Sequence, residues 1–599
     1  MKKILLSIAF ALMGIASGFA AKAYSGIITV TQSDGTELNV RIYGDEHFNW
    51  LTTEDGVLLV QEGNNYYIAE TTSYGTLKAT KFIAHNANKR VSAEIKAIKK
   101  QNHSRFRSYA IEQASTAKAM GTGNNGVKYF PHSGSPKALV ILVEFSDTTF
   151  RSGEKAKNVF EHFLKGKAED ALPDGYEAYT GSYKNKNLLR NKGSVSDYFY
   201  DMSKGTYTPQ FDVVGPYKLN HSSLYYGQGK KDNTYALVSD ACKAADKDVD
   251  FSRYDADGDG MVDLVYIIYA GYPASMSGNP NDIWPKSGPG DGSFGTYDGK
   301  QVCRYGVHAE LNFGWALNKK NGFLLSGIGL FCHEFSHTLG LPDLYPTVDA
   351  SKVDNQNPEM WDLMDGGEYT YNGGYCPTPY SPWELDVMGW TSPVELGDKA
   401  KQVTLNSYYK ERTAYKINGE NDEYLLIQNI QKGGWWNGIA NVYNTGMLIW
   451  RIDYGTKDVN LFDNPNNTLG KPKVMIVPAD GYVISDYNHG DGKQWTDAEY
   501  KASLQADPFP GTKNKTELLS VKLNKSILKK PFYNIKETDG VITFDYLKDF
   551  ATGIDSPVIQ QNQEKDTRIF TLDGRYLGTD VSQLTKGVYI IGKKKVIIK

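Results

Sequence analysis

His333, Glu334 and His337 have the residue types and spacing that metal-assisted hydrolysis needs. On a helix, residues four apart lie on one face, so both imidazoles can reach one ion from consecutive turns. Imidazole nitrogens suit zinc. Glu334 follows the first candidate ligand and is placed to take a proton from a water on the metal. Gly340 is a natural helix stop, because glycine takes the left-handed conformation cheaply. A turn there can bring Asp343 back as a third ligand, giving H-E-x-x-H-x-x-G-x-x-D. A downstream glutamate (Glu359, Glu368 or Glu384) is the alternative third ligand. The flanking Ile328, Leu330, Phe331, Phe335, Leu339 and Leu341 predict a buried helix.

A second cluster begins at Asp255. Asp255, Asp257, Asp259 and Asp263 occupy positions 1, 3, 5 and 9 of a calcium loop of the EF-hand kind, with glycine at position 6 and Met261 at position 7. The usual glutamate at position 12 is replaced by Tyr266. The apolar run that follows predicts a strand. Met364, in the tight turn of residues 360–367, can form a soft apolar floor under a metal site.

These sites need a framework. The chain has 599 residues, 40% of them apolar, which allows several real cores. The 41 tyrosines and 59 glycines favour strands and turns. A formal charge of −3 gives no basic field of the kind nucleic acid attracts. Residues 1–20 read as a signal peptide, with Lys2 and Lys3 ahead of an apolar run and small-x-small cleavage points at 18–20 or 21–23. No later stretch is long and apolar enough to span a bilayer. Four cysteines in an exported chain allow three disulfide pairings, and Cys332 reads as a small buried residue.

Residues 24–97 read as short alternating strands, and 98–130 as a linker; together, 24–130 fit a removable pro-segment. It holds no cysteine to latch zinc; Asp45 or His47 could take that part. Ala138–Phe145 reads as a central strand, and Asn158–Leu164, Val195–Met202 and Ala236–Ala245 as helices, so 131–398 is expected to be an α+β catalytic domain. The Gly- and Pro-rich stretch 271–299 reads as surface loop, with Trp284 either lining a groove or anchoring the loop. His308 and Glu310 precede the motif helix and can support it from behind. Repeated strand patterns over 399–548 suggest a β-sandwich-like module. A short linker precedes the tail, 560–599, which is expected to form strands.

Assembled, the stretches 137–147, 194–207, 255–271, 327–345, 361–367 and 507–511 resemble the immune-inhibitor-A-like metallopeptidases, a secreted group related to the metzincins. The resemblance implies a metzincin-like catalytic domain, zinc on His333, His337 and Asp343, Glu334 as general base, Met364 as the Met-turn residue, bound calcium and synthesis as a zymogen. The chain departs at Ser336, where glycine is common, on a side of the helix expected to face solvent. The tail is similar to a type IX secretion sorting domain, through Gly574, Leu584, Gly587–Ile590 and Lys593–Val596. That implies export through the periplasm by secretion machinery to the medium or the cell surface. Protein or peptide substrates follow from the peptidase reading, with Tyr369 or Tyr371 as candidate oxyanion donor. A surface adhesin or glycan-binding protein with a structural metal site is the reading from another class.

Overall fold

The structure is a computed structural model. It describes residues 19–45, 48–110, 128–179, 190–227, 233–279, 281–290, 292–312, 323–348, 352–353, 356–455, 463–485 and 495–551, and in the tail 569–571, 576–578, 581, 584–591 and 594–598.

The apolar run expected to be a central strand is one. Strand β2 (Lys137–Glu144) is buried from Ala138 to Val143. With β1 (Phe19–Ala20), β3 (Gln210–Lys218), β4 (Val265–Tyr269), β5 (Lys286–Pro289) and β6 (Arg304–Ala309) it forms a six-stranded sheet in the order β1-β5-β6-β4-β2-β3. The four strands from β6 to β3 are parallel, with Val265 opposite both Leu139 and Tyr305. Helices cover both faces, as a parallel sheet requires. Ala138, Val140 and Leu142 face helices α1 (Ala156–Lys165), α2 (Val195–Met202) and α4 (Ile328–Thr338). Leu139, Ile141 and Val143 face α3 (Thr234–Ala245). Ser194 caps α2, accepting the Asp197 N–H while Asp197 reaches back.

The stretch 271–299 departs from its loop expectation. Lys286–Pro289 is a buried strand, antiparallel to β6. Its glycine and proline mask a strand, and proline is admissible because β5 lies next to the sheet edge. Strand β1 then adds antiparallel to β5, pairing Phe19 with Ser287 and Ala20 with Lys286.

Residues 28–83 form a six-stranded sheet whose strands pair in chain order. Its core (Leu38, Val40, Ile42, Leu59, Ile68) continues into Ala274 and Trp284 beside β5. Within the expected linker, 103–110 are helical and 111–127 lie outside the described residues. Between residues 394 and 546, a five-stranded and a three-stranded sheet share one apolar core. The tail strands Ile569–Thr571, Tyr576–Gly578, Gly587–Ile591 and Lys594–Ile598 make one sheet. The fold is thus multidomain with mixed helix and sheet. Among the described residues no helix is long and apolar enough to cross a membrane. All four cysteines are buried, and none is joined in a disulfide among the described residues.

Candidate active site

Every residue of α4 is buried, because the sequence is apolar on nearly all sides. Its first N–H, of Ile328, donates to the Asn191 side chain. Its end is set by Gly340, at φ 106°. The N–H groups of Gly340 and Leu341 donate to His337 O and Ser336 O, closing the last turn and reversing the chain. Ser336 is buried, which corrects the solvent-facing expectation. Its hydroxyl donates to Cys332 O and shares a short hydrogen bond with the Tyr380 hydroxyl, so the position is filled by a polar contact between helix and wall.

The reversal brings three expected ligands together. One donor atom from each of His333, His337 and Asp343 lies within 4.8 Å of the others. Asp343 Oδ1 is 3.3 Å from His333 Nε2 and 3.2 Å from His337 Nε2. The other ring nitrogens face main-chain carbonyls, His333 Nδ1 to Leu363 O at 2.9 Å and His337 Nδ1 to Leu341 O at 2.7 Å. That places the protons on Nδ1 and leaves both Nε2 lone pairs directed at the centre. His333 Nε2 and Asp343 Oδ1 are buried without a hydrogen bond among the described residues. Buried polar atoms left so are costly, and a divalent ion between the two imidazoles and the carboxylate would satisfy both. The donor set fits a metal.

Burial pushes His333 down. Burial also works against charge on His337 and Asp343, but their mutual attraction wins: His337 is raised and Asp343 held well below the usual carboxylate range. Glu334 is fully buried, and burial pushes its carboxyl up to about 8. Its Oε1 accepts the Ala21 N–H at 2.6 Å, while Oε2 has no hydrogen-bond partner among the described residues. Its main-chain carbonyl accepts Ser287 Oγ–H, tying α4 to β5.

Met364 is buried in the same apolar cluster. Its carbonyl accepts the Leu344 N–H, which fastens the turn to the segment just after Asp343. Glu368 stands behind His333, 3.4 Å from Nδ1. The close approach needs glycine at 329, where a Cβ would lie 1.9 Å from Glu368 O. None of the three alternative glutamates joins the metal group. Glu384 caps the helix Pro382–Val387 through Ser381, and Glu359 binds Lys22.

The supporting candidates divide. Trp284 is buried, and its Nε1–H donates to Ala21 O at 2.8 Å. Glu310 accepts from Tyr179 and from the main-chain N–H groups of Arg151 and Gly271, a structural role. His308 is buried against Phe163 and Phe331. Tyr369 donates its hydroxyl to Lys22 O. Asp45 faces Lys352 at 3.8 Å and not the metal group, and His47 lies outside the described residues.

The acidic loop is also assembled. Asp255, Asp257 and Asp263 place oxygens within 4.8 Å of one another. Asp259 stands apart from that group: its carboxylate accepts the Met261 N–H and lies 3.3 Å from Lys128 Nζ. Lys300 and Lys128 sit 2.6 Å from Asp255 and Asp257. Met261 begins a two-residue strand paired with Lys300–Val302.

Sequence reasoning missed Ala21, Lys22 and Ser287. Residues 21–24 lie along the site as an extended strap, and a cavity of about 430 Å³ opens beyond it, lined by Tyr24, Arg41, Tyr369, Tyr371, Tyr443 and Tyr500 among others. Neither local spacing nor composition signals these contacts.

Residues 128–391 match the family model "Immune inhibitor A peptidase M6, catalytic domain". Immune inhibitor A of Bacillus thuringiensis subsp. alesti is 26% identical over 308 residues, 43% of this chain and 41% of that protein. The pre-pro-metalloprotease PrtV of Vibrio cholerae serotype O1 (strain M66-2) is 23% identical over 286 residues, 42% of this chain and 29% of that protein. The chain therefore spans well under half the length of these curated relatives. Within that limit, residues 128–391 are a metallopeptidase-type domain, similar to the catalytic domain of immune inhibitor A.

Proposed function

We propose that the chain is a secreted zinc endopeptidase made as a zymogen. One observation carries this reading: two imidazoles and a carboxylate converge, buried, beside the Glu334 carboxyl, whose Oε2 has no hydrogen-bond partner among the described residues. His333, His337 and Asp343 would hold zinc, and two nitrogens with one oxygen suit that ion. Bound there, zinc supplies Lewis acidity, bringing the pKa of a water to about 7 and polarising a carbonyl. Glu334 takes the proton of the attacking water and returns it to the nitrogen of the leaving amine. The Nδ1–H bonds to Leu363 O and Leu341 O hold the two rings in the tautomer and orientation the site needs. Met364 supports the floor.

The remaining assignments follow the same reading. Residues 1–20 form the signal peptide, 24–130 the pro-segment and linker, 131–398 the metzincin-like catalytic domain, 399–548 the β-sandwich-like module and 560–599 the sorting domain that engages secretion machinery. The strap at Glu334 supports latency, since a polypeptide there excludes substrate. Calcium on Asp255, Asp257, Asp259, Met261 and Asp263 would stiffen the sheet next to β4.

The test is mass-resolved incubation of wild type and Glu334→Ala, with metal content measured on both. We expect one zinc in each and cutting of self or of a denatured protein mixture by wild type alone, with Glu334→Ala slower by roughly 10²–10⁴. Zinc in both with cutting by neither would favour a binding protein with a structural metal.

A further inference from the structure

Residues 19–24, the end of the expected signal peptide and the start of the segment that follows it, pass the site as a peptide would. Residues 19–20 pair antiparallel with β5, and the next N–H, of Ala21, donates to Glu334 Oε1 at 2.6 Å. The Ala20–Ala21 bond therefore presents its nitrogen to the group assigned to protonate a leaving amine. Main-chain contacts continue on the amine side. Trp284 Nε1–H donates to Ala21 O, Tyr369 O–H to Lys22 O, and Tyr24 N–H to Ser275 O. These bonds read backbone and not sequence, so any extended peptide could make them.

The Lys22 contact reads a side chain by its charge. Lys22 Nζ lies 2.9 Å from Asp365 Oδ1 and 3.3 Å from Glu359 Oε2, and all three side chains are at most 2% exposed. The two carboxylates are held in place. Glu359 accepts from Asn357 Nδ2 and from the Tyr500 hydroxyl, and Asp365 Oδ2 accepts the Glu359 N–H. Glu359 itself sits at φ 54°, a conformation that costs a non-glycine residue free energy. A rigid pair of buried acids around one ammonium is complementary to a cation and hostile to an apolar side chain. If the strap leaves, two buried carboxylates lose the ammonium held between them, which favours another cation in its place.

We propose that residues 20–24 trace the peptide-binding cleft, and that Glu359 and Asp365 form in it a subsite for a lysine or arginine side chain. In a substrate this side chain is carried by the second residue on the amine side of the cut bond. The proposal rests on the peptidase reading above and adds a substrate class to it.

A peptide library of known composition, digested by the zinc-loaded wild type and sequenced, tests it. Lysine and arginine should be enriched at that second position, and the enrichment should vanish with Glu359→Gln/Asp365→Asn. No enrichment in wild type, or enrichment that survives the double substitution, overturns it. A second measurement needs neither the double variant nor catalysis. The full chain carrying Lys22→Ala is titrated with two fluorescent hexapeptides, one with the sequence of residues 21–26 and one with methionine in place of its lysine. The lysine peptide should bind at least about tenfold more tightly, as expected for a charge-assisted buried contact. Equal binding of the two overturns the subsite. A zinc-loaded wild type that cuts no peptide at all sinks the peptidase reading instead, and the binding pair alone then decides whether the acidic pocket selects a cation.

Discussion

The chain carries two candidate metal sites of opposite construction. At His333, His337 and Asp343 every ligand is buried, and each histidine is oriented by a carbonyl behind it. In the second group Asp257 is exposed and Asp263 half-buried, while the Asp255 side chain is covered beside Lys300. Their charge is met from outside by Lys128 and Lys300, and the loop amides of Ala256, Asp259 and Gly260 donate to their oxygens. The first geometry is imposed by a helix and a packed turn. The second is a loop wrapping of carboxylates that two lysines share. Burial thus separates a site whose donors have few other partners from one whose donors have several. The first should bind its ion tightly and depend on each ligand, and the second should bind weakly and tolerate loss.

Asp343→Ala gives the largest contrast. Its carboxylate is the one acid among the described residues grouped with both histidines. We expect zinc affinity to fall at least about 100-fold, since even ligands' supporting residues cost 10- to 100-fold, and peptidase activity to fall with it. Zinc titration by calorimetry checks this. Retained stoichiometric zinc and activity would restore a downstream glutamate as third ligand and break the comparison at its stronger side.

The buried site was legible in the sequence because its chemistry is local. His333, Glu334 and His337 lie within one helix, and Asp343 is reached through a single glycine turn whose φ of 106° only glycine adopts easily. The strands and helices with clear periodicity, Lys137–Glu144 and Val195–Met202 among them, were legible for the same reason. What the pattern hid is long-range. Lys22 meets its acids across 337 and 343 residues, and Ala21 meets Glu334 across 313. No window along the chain contains both partners. Strand β5 was hidden by glycine and proline, whose loop preference yields when a neighbouring strand supplies the ladder. Ser336 was misjudged because a small polar residue reads as solvated, whereas here it bonds Cys332 O and Tyr380 inside the wall.

The low-dielectric wall behind the first site has its own signature in acid. His308, against Phe331 of α4, is fully buried, and burial pushes it down to about 3 from an ordinary 6.5. The folded state therefore keeps His308 neutral while the unfolded chain protonates it below pH 6.5. Its contribution to stability is present above pH 6.5 and is lost as pH falls towards 3, at about 1.4 kcal/mol per pH unit. Chemical denaturation of the full chain at pH 7, 6 and 5 should show that slope, and His308→Phe should flatten it. An unchanged slope in the variant would mean that other groups in the wall carry the acid sensitivity.

The acidic loop should give the smallest effect. A calcium ion there binds the folded chain alone, so it stabilises by mass action in proportion to its concentration over its dissociation constant. Lys128 and Lys300 already meet part of the charge, and the ion must displace both, which limits the gain. A calcium-selective chelator should lower the melting temperature by about 2–4 °C and leave zinc content unchanged. Asp255→Asn should abolish that response, because Asp255 anchors the Lys300 contact and accepts two loop amides, from Asp259 and Gly260. Scanning calorimetry at fixed zinc, with and without millimolar calcium, separates the outcomes. A shift in wild type that Asp255→Asn removes makes the loop a calcium site of the weak, exposed kind. No shift in wild type makes it an acidic turn closed by two lysines, and the buried group is then the one candidate metal site among the described residues.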